Sequence, residues 1–368
     1  MSAADDVART RLARSGLVEP FAAAADVARA LIGVQSQFVP PAGLAIMNRL
    51  AEPFTDTDLD ALLHERRSLL RLWGQRNTVH VYHVADWPTV VSASRAIPSY
   101  RQRLTDRLGR TEADLEQALD RMTSILAGVE RASRSDLAQA DPSLEPWLQW
   151  GNIPIIDLVR RGDACHAGVV GGRSYFAHRD VWLPDVEWVT PSTDDAAVSL
   201  ARRYFATYGP ATVHDFAFWL GARAGDARRW VRVLRDELVE LDVDGELYLD
   251  LALSAGVGPS RGAPAPDEPP PLLLHRFDPL LLAHKNKSWI VDDAHYKAVW
   301  RKAGYVEAVV LEGGRIVGTW AYDRRATGIA VTLSPFGTLR RGTVTALKRR
   351  AERIAAYFDQ PLLEVAIE

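Results

Sequence analysis

Two glutamines one residue apart, Gln35 and Gln37, lie in the stretch Leu31-Ile-Gly-Val-Gln-Ser-Gln-Phe-Val-Pro-Pro41, where an apolar segment runs into a double proline. In an extended segment alternate side chains share a face, so this spacing predicts both amides on one side. Pro40 and Pro41 would stiffen the next few residues. Each amide offers an acceptor oxygen and a two-proton donor, a set suited to holding a water or a sugar, and neither has a basic pKa with which to act as a true base. On its own, Gln-x-Gln is a weak pattern that reads more readily as a capping or turn pair at a helix end.

Other groupings carry less chemistry. His275, Asp278, His284, Asp292, Asp293 and His295 could be drawn as a metal site, but their spacing matches no strong ligand motif, and no metal is expected. His80 and Tyr82 share a strand face and read as packing or as a hydrogen bond to a neighbouring hairpin. The tryptophans fall at core positions, and the glycine pairs follow turn logic without forming a nucleotide-binding fingerprint. Cys165 is the only cysteine. That removes a disulfide framework and fits a reducing, cytoplasmic compartment. No signal core or membrane-length apolar run is present, so no membrane role is expected.

The elements that must hold the glutamines follow a repeating order. At 368 residues the chain is long enough for several modules. Ser2 to Ser15 predicts a helix, Phe21 to Val34 a second and Ala42 to Leu50 a short third; Thr55 caps a fourth that runs to Arg67. The period then changes to two, giving strands 69–73 and 78–83 around Gly74-Gln75-Arg76-Asn77. Helices followed by a hairpin are the order of a winged helix. The order recurs from Thr111, with a hairpin around Gly171-Gly172, and again from Thr193, with a hairpin around Asp244-Gly245. Residues 256–271, dense in Gly, Pro, Ala and Ser, read as a linker. Strand-like runs then lead to an amphipathic helix from Thr343 to Phe358. The expected class is α+β: winged-helix modules at 1–100, 101–190 and 191–255 forming a concave channel, the linker, and a β-rich module with a terminal helix at 272–368.

Charge is sectored. Asp180 to Asp250 holds seven arginines against fourteen Asp and Glu, whereas Pro271 to Glu368 holds fifteen Lys and Arg against ten Asp and Glu and contains all five lysines. Such a division can mark a nucleic-acid face on an acidic body.

This order of elements, together with local matches, resembles the AlkZ-type winged-helix DNA glycosylases. The matches are Gln35-Ser36-Gln37 after the first module's apolar helix, Trp73-Gly-Gln-Arg76-Asn-Thr78-Val-His80, and Phe277-Asp-Pro-Leu-Leu-Leu-Ala-His284-Lys285 with Val291-Asp292-Asp293 and Val317-Gly-Thr-Trp320. They span nearly the whole chain. A sister branch has Asp at the second motif position, where this chain carries Gln37. The resemblance implies a monofunctional hydrolase for the N-glycosidic bond of N7-alkylated purines, including the unhooking of interstrand crosslinks, and a role in self-resistance to a DNA-alkylating antibiotic. It implies duplex DNA as partner; three modules in one chain favour a monomeric clamp, and no cofactor is expected. Gln35 and Gln37 would bind the catalytic water and the sugar face. Arg71, Arg76, Lys285, Lys287, Arg324 and Arg325 would contact DNA, with Tyr322 to Gly328 as a basic hairpin tip probing the minor groove. The alternative is a non-enzymatic winged-helix DNA-binding regulator. That reading would expect a dimer with one basic recognition helix per half-site, which the chain lacks.

Overall fold

Four helices begin in the same way. Thr55, Thr111, Ser133 and Thr212 each accept the backbone N–H of the aspartate three residues on (Asp58, Asp114, Asp136 and Asp215), and that carboxylate reaches back to the capping residue's own N–H. This reciprocal cap satisfies donors that a helix start leaves open. In a computed structural model of the chain, residues 3–243, 245–252 and 269–368 are described. Asp244 and most of the expected 256–271 linker lie outside them.

The caps set a recurring order. The first unit runs from helix Ala24–Ala30 to β1 (Val34–Gln35), helix Val39–Met47, helix Asp56–Asp60 with a continuing turn to Glu65, and the hairpin β2 (Leu69–Trp73) and β3 (Val79–His83). The second runs from helix Glu112–Ala127 to β4 (Ala132–Ser133), helix Arg134–Ala140, helix Ile153–Arg161, and the hairpin β5 (Ala164–Val170) and β6 (Arg173–His178). Gly171 and Gly172 both take positive φ in its turn, the geometry a two-residue hairpin loop demands. The third runs from helix Thr193–Tyr208 to helices Val213–Leu220 and Ala224–Val233 and the hairpin β7 (Leu238–Val243) and β8 (Glu246–Leu251). A bridge between Ala211 and Leu249 stands where the first two units place a short strand.

The C-terminal part contains β9 (Leu272–Leu274), β10 (Val309–Glu312), β11 (Arg315–Arg325), β12 (Gly328–Pro335), helix Arg341–Tyr357 and β13 (Leu362–Ile367). Its sheet order is β13-β12-β11-β10-β9, with β13 parallel to β12. The chain therefore ends on a strand, not on the expected helix. β11 also runs past Tyr322 to Arg325, so the basic hairpin is longer and its turn tighter than the pattern suggested.

Two further local expectations change. The second helix stops at Ala30 because Ile32 and Gly33 adopt positive φ and turn the chain into β1. Pro40 and Pro41 do not stiffen an extended run; they occupy the first turn of helix Val39–Met47, where a missing N–H costs nothing. Pro154 likewise lies in the first turn of helix Ile153–Arg161.

Packing ignores the expected module boundaries. One core joins Leu44 and Leu69 to Tyr204, Trp219, Leu333 and Leu347, and so spans the first unit, the third unit and the C-terminal sheet. A second joins Leu72 and Trp87 to Met122, Leu158 and Phe176. The β2–β3 and β5–β6 hairpins share one sheet of order β1-β3-β2-β5-β6-β4, with Arg71 opposite His166 at the junction. Helix Ala3–Arg14, expected in the first module, docks elsewhere: Arg11 donates to the Pro210 carbonyl at 2.9 and 2.6 Å, and Arg14 pairs with Asp250. Among the described residues no helix is long and apolar enough to cross a membrane.

Candidate active site

β1 ends at Gln35, and the chain bends at Gln37 before entering helix Val39–Met47. The alternation argument needed extended backbone through both residues, so it does not hold. Gln35 is buried and Gln37 exposed, with Ser36 fully buried between them. Ser36 N–H donates to the Val79 carbonyl at 2.7 Å, which pins the motif to the first hairpin.

Two arginines grip the motif from that hairpin. Arg71 donates to the Ser36 carbonyl at 2.8 Å and to Ser36 Oγ at 3.3 Å, and its third contact is His166 Nδ1 at 3.4 Å. That nitrogen also accepts Gly168 N–H at 3.2 Å, so it carries no proton. Burial, with the charges of Arg71 and His64 adding, holds His166 down at about 3. Arg76 sits in the β2–β3 turn with φ of 54°. Its guanidinium donates to Gln35 Oε1 at 3.1 Å and to the Trp219 carbonyl of the third unit at 2.7 Å. Gly221, which ends that helix at φ of +84°, lies so close that an added Cβ would meet the Arg76 backbone at 2.9 Å. His80, opposite Gln35 in the sheet, donates from Nδ1 to the Thr78 carbonyl at 2.9 Å. Burial, reinforced by Arg76, pushes it down to about 3, so it is a neutral imidazole at physiological pH.

Gln35 forms part of the wall of a cavity of about 940 Å³. Arg76, Thr78, Phe218, Lys287, Tyr296, Lys297, Trp300 and Lys302 line it too. The Tyr296 and Trp300 rings are stacked with centroids 5.2 Å apart. A second hollow holds Phe38, Pro40, Tyr305 and Tyr322, and a third holds Pro40, His64, Val169 and Arg324. Tyr305 is shared by the first two and Pro40 by the last two; Gln35 lines the first, Phe38 to Pro41 line the others, and Gln37 lines none of the three.

The six arginines and lysines chosen as DNA contacts divide in two. Lys285, Arg324 and Arg325 are exposed. Arg324 lies over the Phe358 ring at 5.0 Å, and Arg325 pairs with Asp323 and Glu364. Arg71 and Lys287 are buried and Arg76 half-buried, each spent on protein oxygens. They correct the sequence reading, because a buried cation is held only where such partners repay desolvation. Lys287 Nζ donates to the Leu281 carbonyl at 2.8 Å and to that of His284. Burial, then Arg76, pulls it down to about 7. The aromatic and basic segment from Tyr296 to Lys302 was not singled out in sequence; its i, i+4 aromatic pair was the available signal.

The C-terminal hallmark proves to be a buckle. Asp278 forms a fully buried two-pronged ion pair with Arg49 at 2.7 and 2.8 Å. His284 Nε2 bonds the Tyr208 carbonyl at 2.8 Å, and Lys285 N–H donates to Asp215 at 2.7 Å. Asp292 pairs with Arg315, and His295 stacks on Phe336. The residues that could have been drawn as a metal site are thus dispersed, and no group of three or more potential ligands gathers among the described residues.

An arginine-gripped amide in the wall of an aromatic, basic cavity suits recognition of a nucleotide. The comparisons with known proteins concern the chain as a whole. The family model described as DNA glycosylase AlkZ-like matches residues 28–357, so the chain belongs to that family and is an enzyme hydrolysing N-glycosyl bonds in DNA. It is 29% identical over 355 residues to a Streptomyces sahachiroi protein named interstrand DNA cross-link repair glycosylase, covering 90% of each chain. The solved structure of Streptomyces sahachiroi DNA glycosylase AlkZ superposes with a TM-score of 0.85 at 28% identity over 100% of both chains.

Proposed function

We propose that this glycosylase releases N7-alkylated purines and unhooks interstrand crosslinks, using a water held at the Gln35–Gln37 motif. Alkylation at N7 makes the purine cationic and already a good leaving group, so no strong general acid is needed. Water attacks C1′ as the bond to the base breaks; the electron pair goes to the purine nitrogen and neutralises its charge, and the water proton passes to solvent. Binding and oriented dipoles then supply the acceleration. The observation that carries this reading is Gln35, fixed by Arg76 in the wall of a roomy cavity rather than a tight slot. An open site suits a bulky lesion that cannot be flipped at the usual cost, and the relative's name points to such a lesion.

In this reading the three helix-and-hairpin units act as winged helices of a monomeric clamp around a concave channel. Exposed Lys285, Arg324 and Arg325 position the phosphates, and the β11–β12 hairpin faces the minor groove. Arg71, Arg76 and Lys287 hold the site and leave the phosphates to others.

The test is base release from a duplex carrying one N7-alkylguanine, with abasic sites revealed by mild alkali and a chelator present throughout. Release by the wild type that falls on the order of 10²-fold in Gln37→Ala, at unchanged duplex affinity, is the expected result. Unchanged release in both Gln35→Ala and Gln37→Ala removes the glutamines from the chemistry.

A further inference from the structure

We infer that the two glutamines do opposite jobs: Arg76 makes Gln35 a hydrogen-bond donor to the substrate nucleotide, and Gln37 alone is the acceptor that holds the attacking water. This rests on the proposed placement of the chemistry at the motif, and it divides what the sequence treats as a matched pair.

The orientation of an amide is fixed by its partner. A guanidinium has only donors, so the Gln35 atom facing Arg76 must be the carbonyl oxygen, whichever way the group might otherwise turn. The contact is 3.1 Å. Arg76 cannot easily release it, because its other arm is committed to the Trp219 carbonyl at 2.7 Å and its backbone is packed against Gly221. An amide oxygen already facing a cation is a poor acceptor for a water that must become more nucleophilic. The Gln35 amide nitrogen, by contrast, makes no hydrogen bond to the protein among the described residues, nor is it one of the fully buried atoms left without a partner. It therefore opens towards the cavity whose wall Gln35 forms. Two N–H donors aimed there match the oxygens of a nucleotide's sugar or phosphate.

Gln37 is the complement. It is exposed, and its side chain has no partner among the described residues. Its oxygen is free to accept from a water and so to orient the lone pair of that water towards C1′. Arg76 is then a positioning residue, acting through Gln35 without touching the reacting atoms.

Replacing each glutamine by glutamate separates the roles, since a carboxylate keeps the acceptor oxygens and loses the donors. Gln35→Glu gains an ion pair with Arg76, so folding is not at stake; thermal unfolding checks this. Single-turnover base release and duplex affinity are measured on the same N7-alkylguanine duplex. Gln35→Glu is expected to release base at least about tenfold more slowly, as Gln35→Ala does, because either change removes the donors. Gln37→Glu is expected to release base at least about tenfold faster than Gln37→Ala, because the carboxylate keeps the acceptor oxygens that alanine removes. Arg76→Lys, which cannot reach both oxygens, slows release at unchanged affinity and adds nothing in a Gln35→Ala background; a merely structural role would give additive losses. Wild-type release by Gln35→Glu, or release by Gln37→Glu no faster than by Gln37→Ala, overturns the division of roles. Unchanged release in both alanine variants overturns the placement of the chemistry itself, a separate failure read from the same assay.

Discussion

The Lys287 amine, buried beside Arg76 and Arg11 with Asp215 opposing them, is drawn down from 10.5 to about 7. Between those values the unfolded chain binds a proton that the folded one does not, so this group adds stability as pH rises through that window and takes it away as pH falls. The melting temperature of the wild type relative to Lys287→Met is therefore expected to climb from pH 7 to pH 10; a pH-independent difference contradicts the burial argument. Arg49 and Asp278, fully buried and paired, give a second prediction. Arg49→Ala leaves a buried carboxylate alone and should cost about 3–5 kcal/mol by denaturant unfolding. Arg49→Met with Asp278→Leu should cost less than that single change, since the penalty lies in the unpaired charge.

Elements were read well wherever a rule acts within one turn. Thr55, Thr111 and Thr212 mark helix starts because an aspartate three residues on completes each cap. Gly171-Gly172 marks a hairpin because two consecutive positive φ values favour glycine. The same rules misplace Pro40-Pro41, since a proline pair fits a first helical turn as well as an extended run, and the choice depends on what packs beneath. That helix is finished from afar: Arg353, on helix Arg341–Tyr357, donates to the Met47 and Leu50 carbonyls at 3.0 and 2.9 Å. The end of helix Val213–Leu220 also reaches the site, through Gly221. Gly221→Ala is expected to destabilise by about 1 kcal/mol or more for its positive φ. It should also slow base release by displacing Arg76, which holds Gln35. Single-turnover release at unchanged duplex affinity checks this.

At the scale of the whole molecule, the cores and the buckle make the parts interdependent. Asn48 donates to the Leu273 carbonyl and Tyr204 to that of Ala283, both across to the C-terminal segment. A chain ending at residue 252 loses these partners together with Asp278, and is expected to lose cooperative unfolding by circular dichroism. A folded, sharply melting fragment would show the units to be independent after all. Charge acts at this scale too. If Arg324 meets phosphate, Arg324→Ala should lower the slope of log affinity against log salt by about one while leaving the release of bound base unchanged.

Sequence by itself determined the recurring helix-and-hairpin order, the glutamine motif, the hairpin that faces it and the family resemblance, because capping, alternation and turn chemistry act over a few residues. Tertiary structure decided which of those residues can do chemistry. The pairing of β2 with β5, the reach of Arg76 to Gln35 and Trp219, and the burial of Lys287 join positions far apart in the chain. No local rule encodes such contacts. They form where shared cores bring desolvated cations within reach of oxygens that can hold them, and there the two glutamines cease to be equivalent.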